Sequence, residues 1–185
     1  MLAVADAPVQ VEAELLDGRL RCPLCADGVL GPWGFARERE LRGPDGRRRL
    51  RFRRTRCRTC RTTHVLVPTS TLLRRLDLVE IIGAALLARA SGLGHRRIAA
   101  VLGLPATTVR GWLRRFSRRA VELRALAAEL GPIASRGSPT ADTVEALGVA
   151  AAAAVRRLGP VPSPWLVISG MTGTLMLSPT ALPSW

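Results

Sequence analysis

Apolar positions recur at helical spacing through the middle of the chain. Val79, Ile82, Leu86 and Ala90 form one stripe, and Val109, Trp112, Leu113 and Phe116 form a second at i, i+3, i+4 and i+7. The first stripe predicts a helix to about Ala90. Asp77-Leu-Val-Glu80 reads as its capping box, with Asp77 as N-cap, and Ser91-Gly92-Leu93-Gly94 ends it. A short helix from His95 to Leu102 is expected to bury Ile98, Val101 and Leu102. Gly103 fits its C′ position, and Pro105 fits the first position of a third helix that runs through Arg119 and can continue to Leu130. Upstream the pattern changes to strands. Trp33 to Arg42 and Arg47 to Arg56 read as two strands joined at the turn signal Gly43-Pro44-Asp45-Gly46, and His64 to Val67 reads as a third, closed by Pro68. Downstream, Asp142 to Leu158 reads as an Ala-rich helix. Trp165 to Leu177 is an apolar run that can pack on that helix or pair with another chain. Four parts follow: a flexible arm at 1–20, a strand-bearing module at 21–68, a helical module at 69–130, and a linker, helix and apolar tail at 131–185.

The strand-bearing part holds all four cysteines, spaced C-x2-C, 31 residues, C-x2-C: Cys22, Cys25, Cys57 and Cys60. Two thiolates two residues apart reach one ion from a tight turn, and two such turns complete a zinc tetrahedron. Four protein sulfurs leave no open position for water, so the expected cofactor is one structural Zn2+. A module of 48 residues has little core of its own, and metal binding can supply the missing folding energy. His64, four residues beyond Cys60, is an alternative ligand. The fold class expected is α+β: a small three-stranded zinc ribbon, a three-helix helix-turn-helix and an Ala-rich helical tail.

Charge sharpens this division. The net charge is +14, and all 28 basic residues are Arg. Residues 1–18 carry −4, residues 19–61 carry +10, residues 74–124 carry +8, and the remainder balances. An excess confined to the two motif-bearing regions points to a polyanionic partner, with nucleic acid the commonest. Arg47, Arg49, Arg51 and Arg53 would line one face of a continuous strand and contact phosphates. On the third helix, Thr107, Arg110, Gly111, Arg114 and Arg118 fall opposite the apolar stripe, where a core-anchored helix can enter a major groove. The candidate DNA contacts are Ala106, Thr107, Thr108, Arg110, Arg114, Arg115 and Arg118, with Arg96 and Arg97 on the preceding helix. The first residues lack a basic start followed by an apolar run, and no apolar stretch reaches the ~18 residues of a membrane span. The expected setting is therefore cytoplasmic and nucleoid-associated, with no membrane and no small-molecule substrate.

Residues 98–113, IAAVLGLPATTVRGWL, resemble the second and third helices of the homeodomain-like helix-turn-helix of transposases, resolvases and small bacterial regulators. The resemblance implies a core of Ile98, Leu102, Val109, Trp112 and Leu113, with DNA contacts at Ala106, Thr107 and Arg110. Pro105, where Ser or Thr often caps, and Gly111, where a longer side chain is common, depart from the pattern. Through its Arg-Cys-x2-Cys, Thr63-His-Val-Leu-Val-Pro68 and Gly94-His-Arg-Arg-Ile98 segments, the stretch 21–116 also resembles an uncharacterised bacterial family that joins a four-cysteine module to this helix-turn-helix, and the arrangement is similar to the N-terminal part of insertion-sequence transposases. Such transposases continue into a catalytic domain with three metal-holding carboxylates. After Arg119 this chain has Glu122, Glu129, Asp142 and Glu145 in too short a space for that domain, so no enzymatic activity is expected. The partner expected is double-stranded DNA, with a homodimer or a separate transposase chain as further possibilities. A split-transposase subunit and an RNA-binding zinc ribbon are the alternative readings.

Overall fold

The computed structural model describes residues 1–129, 139–159, 163–180 and 182. It is a mixed α+β chain with a strand-rich N-terminal half and a helical C-terminal half.

The N-terminal half contains β1 (Leu2–Val4), α1 (Pro8–Leu16), β2 (Leu30–Phe35), β3 (Arg39–Gly43), β4 (Gly46–Leu50), β5 (Arg53–Cys57) and β6 (Thr63–Pro68). One sheet has the order β1-β6-β5-β2, and β3 and β4 form a separate hairpin. The two long strands expected at 33–42 and 47–56 are each broken in two, so the three-stranded expectation is corrected. The cause lies in β2: the register slips between Pro32 and Phe35, and Gly34 takes φ 85°. Such a bulge bends and twists the ladder. It carries the hairpin tip out of the sheet plane, while Ala36 N still bonds Phe52 O at 2.8 Å across the bend. The tip turns where expected, with Gly43 paired to Gly46 and Gly46 at φ 116°.

The expectation of a flexible arm at 1–20 is also corrected. β1 pairs parallel with β6, Leu2 opposite Leu66, and α1 begins at Pro8, a residue preset for a first helical turn. Val11 and Leu15, at i and i+4, bury one face of α1 against Val4, Leu30, Leu66, Cys22 and Cys57. The arm's acids are used locally. Glu12 Oε1 lies 2.6 Å from Arg53 Nε, and Asp6 accepts from Ser70 N at 3.1 Å.

The C-terminal half contains α2 (Val79–Ala90), α3 (His95–Leu102), α4 (Ala106–Arg118), α5 (Ala120–Ala128), α6 (Pro139–Leu158) and α7 (Pro164–Met171). Both predicted stripes point inward: Val79, Ile82, Leu86, Ile98, Val109, Trp112 and Phe116 share one core. Val101 does not join it. At 78% exposure it faces out, and Ala99 takes the buried place beside Ile98. Gly103 adopts the left-handed conformation (φ 63°) that closes α3, as expected. Pro105 is the N-cap of α4 and not its first helical residue, and the helix stops at Arg119, where φ −105° and ψ 4° separate it from α5. The apolar tail completes this core, with α7 and the turn after it contributing Trp165, Ile168, Met176 and Leu177, and α6 contributing Leu147 and Ala150. The start of the expected linker at 131–138 lies outside the described residues. Among the described residues no helix is long and apolar enough to cross a membrane.

Asp77 is not a helix cap. Leu78 holds the N-cap position of α2, and Asp77 is buried with its Oδ1 2.7 Å from Arg42 Nε of β3. The same segment bonds the hairpin through its backbone: Arg42 N donates to Leu76 O and Leu78 N donates to Arg42 O, both at 2.8 Å. Leu41 is buried, and Leu78 packs so close to Gly43 that a Cβ there would lie 2.8 Å from Leu78 Cδ1. On the other side, Val79 N donates to Ser70 O at 2.9 Å and Ser169 Oγ to Thr71 O at 3.3 Å. The strand-rich and helical halves are therefore joined by a bent hairpin tip laid along the entry to α2.

Candidate metal centre and nucleic-acid interface

Cys22 and Cys25 lie on the turn before β2. Cys57 ends β5, and Cys60 lies on the turn before β6. Both turns are built for sulfur. Cys22 N donates to Gly28 O at 2.7 Å and Cys57 N to Thr62 O at 2.9 Å. Leu24 N and Cys60 N each lie 3.4 Å from the sulfur of the first cysteine of their pair. The four Sγ atoms lie within 4.8 Å of one another, with Cys22 to Cys60 at 3.7 Å and Cys25 to Cys57 at 3.6 Å. Gly28 closes the cradle. A Cβ on it would lie 2.7 Å from both Cys22 Cβ and Cys57 Sγ and would overlap Cys25 Sγ. Four thiols gathered this closely, without a disulfide among them, can hold one metal ion.

Burial and local dipoles set three of the thiols apart. Hydrogen bonds from the Thr62 side chain and backbone bring Cys60 down to about 6. Burial and the neighbouring thiols push Cys25 up to about 12. At Cys57 burial acts upward, but the amides of Cys60 and Thr59 outweigh it and the thiol shifts down. His64 is buried, with Nε2 3.4 Å from Cys22 Sγ, within hydrogen-bond reach of that sulfur. The four thiols already supply a full tetrahedral set, and His64 sits behind it.

The expected single face of Arg47, Arg49, Arg51 and Arg53 is not formed, because the strand breaks between β4 and β5. Arg47 and Arg49 share a face of the hairpin with their cross-strand partners Arg42 and Glu40, and Arg47 Nη1 bonds Glu40 Oε1 at 3.1 Å. Arg51 falls in the break, 5.3 Å from the Phe35 ring centroid. Arg53 is turned inward. Its side chain is 15% exposed, held by Glu12, by Gly34 O at 2.8 Å and over Phe35 at 4.5 Å. Arg53 therefore does not offer a free guanidinium to a phosphate. Unforeseen from the sequence, Trp33 and Phe35 each stand half exposed, 50% and 48%, with Arg56 4.7 Å over the Trp33 ring.

On α4 the inward anchors Val109, Trp112 and Phe116 leave Thr107, Arg110, Arg114, Arg115 and Arg118 exposed, with Ala106 and Thr108 half-buried at the helix start. Arg96 and Arg97 are exposed in the first turn of α3. Gly111 has a local reason: the Arg115 guanidinium folds back over it, and a Cβ would lie 2.9 Å from Arg115 Nη1. Thr107, Thr108 and Arg115 border an open cleft of about 360 Å³ with three residues that no motif marked, Arg42, Arg74 and Arg75. Only tertiary contact brings these six together, since Arg42 comes from the hairpin.

Residues 75–123, spanning α2 to the first turn of α5, match the profile of the Homeodomain-like domain family. No curated protein and no solved structure matches the chain.

Proposed function

We propose that the chain is a duplex-DNA-binding protein in which α4 reads the major groove and the four-cysteine module is a ribbon stapled by one structural zinc ion. The observation that carries the reading is α4 itself. Within a homeodomain-like segment it is anchored by Val109, Trp112 and Phe116, and it presents Thr107, Arg110, Arg114 and Arg118 outward. Arg110 and Arg114 have the fork geometry that suits guanine, and Thr107 suits a base or a phosphate. Zinc suits the sulfur cluster. A Zn–S bond of about 2.3 Å in a tetrahedron sets sulfurs about 3.8 Å apart, close to the 3.6 and 3.7 Å observed. His64 would donate to the Cys22 thiolate and fix its orientation. The role is recognition and not catalysis, as a transcriptional regulator or as the recognition chain of a mobile element. Of the carboxylates after Arg119, Glu122 is engaged by Arg119 at 2.6 Å and Asp142 is buried, which supports that reading.

Zinc-loaded protein is expected to bind duplex DNA with an affinity whose logarithm falls linearly with the logarithm of salt concentration. Arg110→Ala is expected to relax preference at one base position, at a cost of about 1–3 kcal/mol for the preferred sequence. Selection from random duplexes, followed by titration of both proteins, measures this. Folded, zinc-loaded protein that binds no duplex at low salt would sink the proposal.

A second reading is favoured by the half-exposed Trp33. A half-exposed indole with Arg56 over its ring and Arg54 exposed on the same strand suits stacking on unpaired bases, as in single-strand or RNA binding. On this reading Trp33→Ala weakens binding to single-stranded RNA by about 1–3 kcal/mol and leaves duplex affinity unchanged. Competition between the two nucleic acids decides.

A further inference from the structure

The cleft between the hairpin and α4 gathers guanidinium groups from three parts of the chain. Arg42 comes from β3, Arg74 and Arg75 from the segment between β6 and α2, and Arg115 from α4; Thr107 and Thr108 add two hydroxyls at the rim. Asp77 lies in the wall and is engaged by Arg42 at 2.7 Å. Among the described residues Arg74, Arg75 and Arg115 make no ion pair with a carboxylate. Arg75 is the most constrained. It is half-buried, its Nη2 donates to Leu177 O at 3.2 Å, and its Nε is buried without a hydrogen-bond partner. Burial and then the nearby Arg115 charge act against its protonated form, and Asp77 offsets them only in part. Arg74 is held at φ 59°, a left-handed conformation that Arg seldom adopts, and it stands exposed at the cleft. Gly111, having no side chain, lets Arg115 lie back along α4 toward the same space.

Like charges brought this close repel one another unless an anion joins them. The ligand that fits is a phosphodiester. It is singly charged, it accepts paired N–H donors from guanidinium forks, and it takes hydroxyl donors such as Thr107 and Thr108. We infer that this cleft is a backbone-phosphate clamp that grips the DNA strand beside the groove entered by α4. The inference rests on the proposed duplex binding and adds to it a specific site shared between the two halves of the protein. The Arg42–Asp77 junction then has a use beyond stability, because it holds the hairpin's guanidinium at a set distance from α4. Phosphate contacts position a protein on DNA without reading sequence, so the clamp and Arg110 have separable signatures.

The test is the double variant Arg74→Asn with Arg115→Gln in the full zinc-loaded chain. Asn tolerates the left-handed backbone at position 74, and circular dichroism with zinc content verifies the fold. The control removes the same charge outside the cleft: Arg19→Gln with Arg156→Gln. Expected for the cleft variant is about tenfold weaker duplex binding per lost contact, uniform across sequences, and a salt slope shallower by about 0.9 for each phosphate released. The control is expected to keep the slope of the unmodified chain. Duplex binding by the unmodified chain with the same slope in cleft variant and control overturns the clamp alone. No duplex binding by the unmodified chain overturns the clamp together with the reading on which it stands. Altered base preference in the cleft variant also overturns it, because the contacts would then be to bases.

Discussion

Removal of the proposed zinc ion is expected to unfold the N-terminal sheet while α2 to α7 remain helical. The N-terminal core is small, comprising Val4, Val11, Leu15, Leu30, Leu66 and two of the cysteines themselves, Cys22 and Cys57. Burying a Leu or Val side chain contributes about 1.5–3 kcal/mol, and ordering each residue costs about 1–2 kcal/mol in backbone entropy alone. A structural zinc contributes an apparent ~10–16 kcal/mol in small zinc-binding peptides, enough to decide whether such a module folds. Without the ion, four thiols crowd one point, and thiolates there would repel. The helical core draws on none of these residues. Chelation, or Cys57→Ser, is therefore expected to abolish amide protection across β2, β5 and β6. Helical circular dichroism and the buried Trp112 are expected to be retained. Gly28→Ala tests the cradle without removing a ligand. Its methyl group would overlap Cys25 Sγ and meet Cys57 Sγ at 2.7 Å, so zinc stoichiometry is expected to fall well below one per chain. Unchanged hydrogen exchange in β2, β5 and β6 after complete chelation would show that the sheet stands without the metal.

Gly83→Ala is expected to destabilise the helical half by up to about 4 kcal/mol. The magnitudes oppose one another, and their sign is the test. Within a helix, Ala is better than Gly by about 1 kcal/mol, so an open site would gain stability. Gly83 is buried in α2 with the indole of Trp165 lying against its bare backbone, and a Cβ would overlap three atoms of that ring. Trp165 sits at the start of α7, after the Ser163 cap, and is nearly buried. Making room requires either a shift of α2 against α7, with overpacking costs of about 1–3 kcal/mol, or loss of the docked indole, which costs about 3–5 kcal/mol. Less the helical gain, the two routes leave about 0–2 and about 2–4 kcal/mol of destabilisation. Denaturant titration of the zinc-loaded protein measures the difference, and a midpoint raised by Gly83→Ala would show that Trp165 does not rest on α2.

The two helical stripes were readable because they follow a local rule: a period near 3.6 with polar residues opposite places Val109, Trp112 and Phe116 on one side whatever they pack against. Val101 shows the limit of that rule. On a helix of eight residues one apolar position more or less defines no face, and only the placement of α2 and α4 chose Ala99 over Val101. Asp77 fits a capping box by spacing alone, but Arg42, 35 residues earlier, offered it a charged partner. The arm at 1–20 was hidden for a similar reason, since α1 buries only Val11 and Leu15 and β1 has three residues. Neither element is stable until β6 and the cysteine core give it a surface.

By itself the sequence determined the four-sulfur cluster, the turn at Gly43–Gly46, the αL stop at Gly103 and the inward face of α4. Each depends on residue types a few positions apart, or on cysteine pairs whose chemistry tolerates the intervening chain. The tertiary structure alone decided how the arginines are used. Arg53 turns inward to Glu12, and the hairpin bends at Gly34. Arg42 comes to share a cleft with Arg74, Arg75 and Arg115. The physical reason is that a guanidinium is long and flexible and can pair with whatever lies within reach. Its sequence position therefore says where the charge begins but not where it ends.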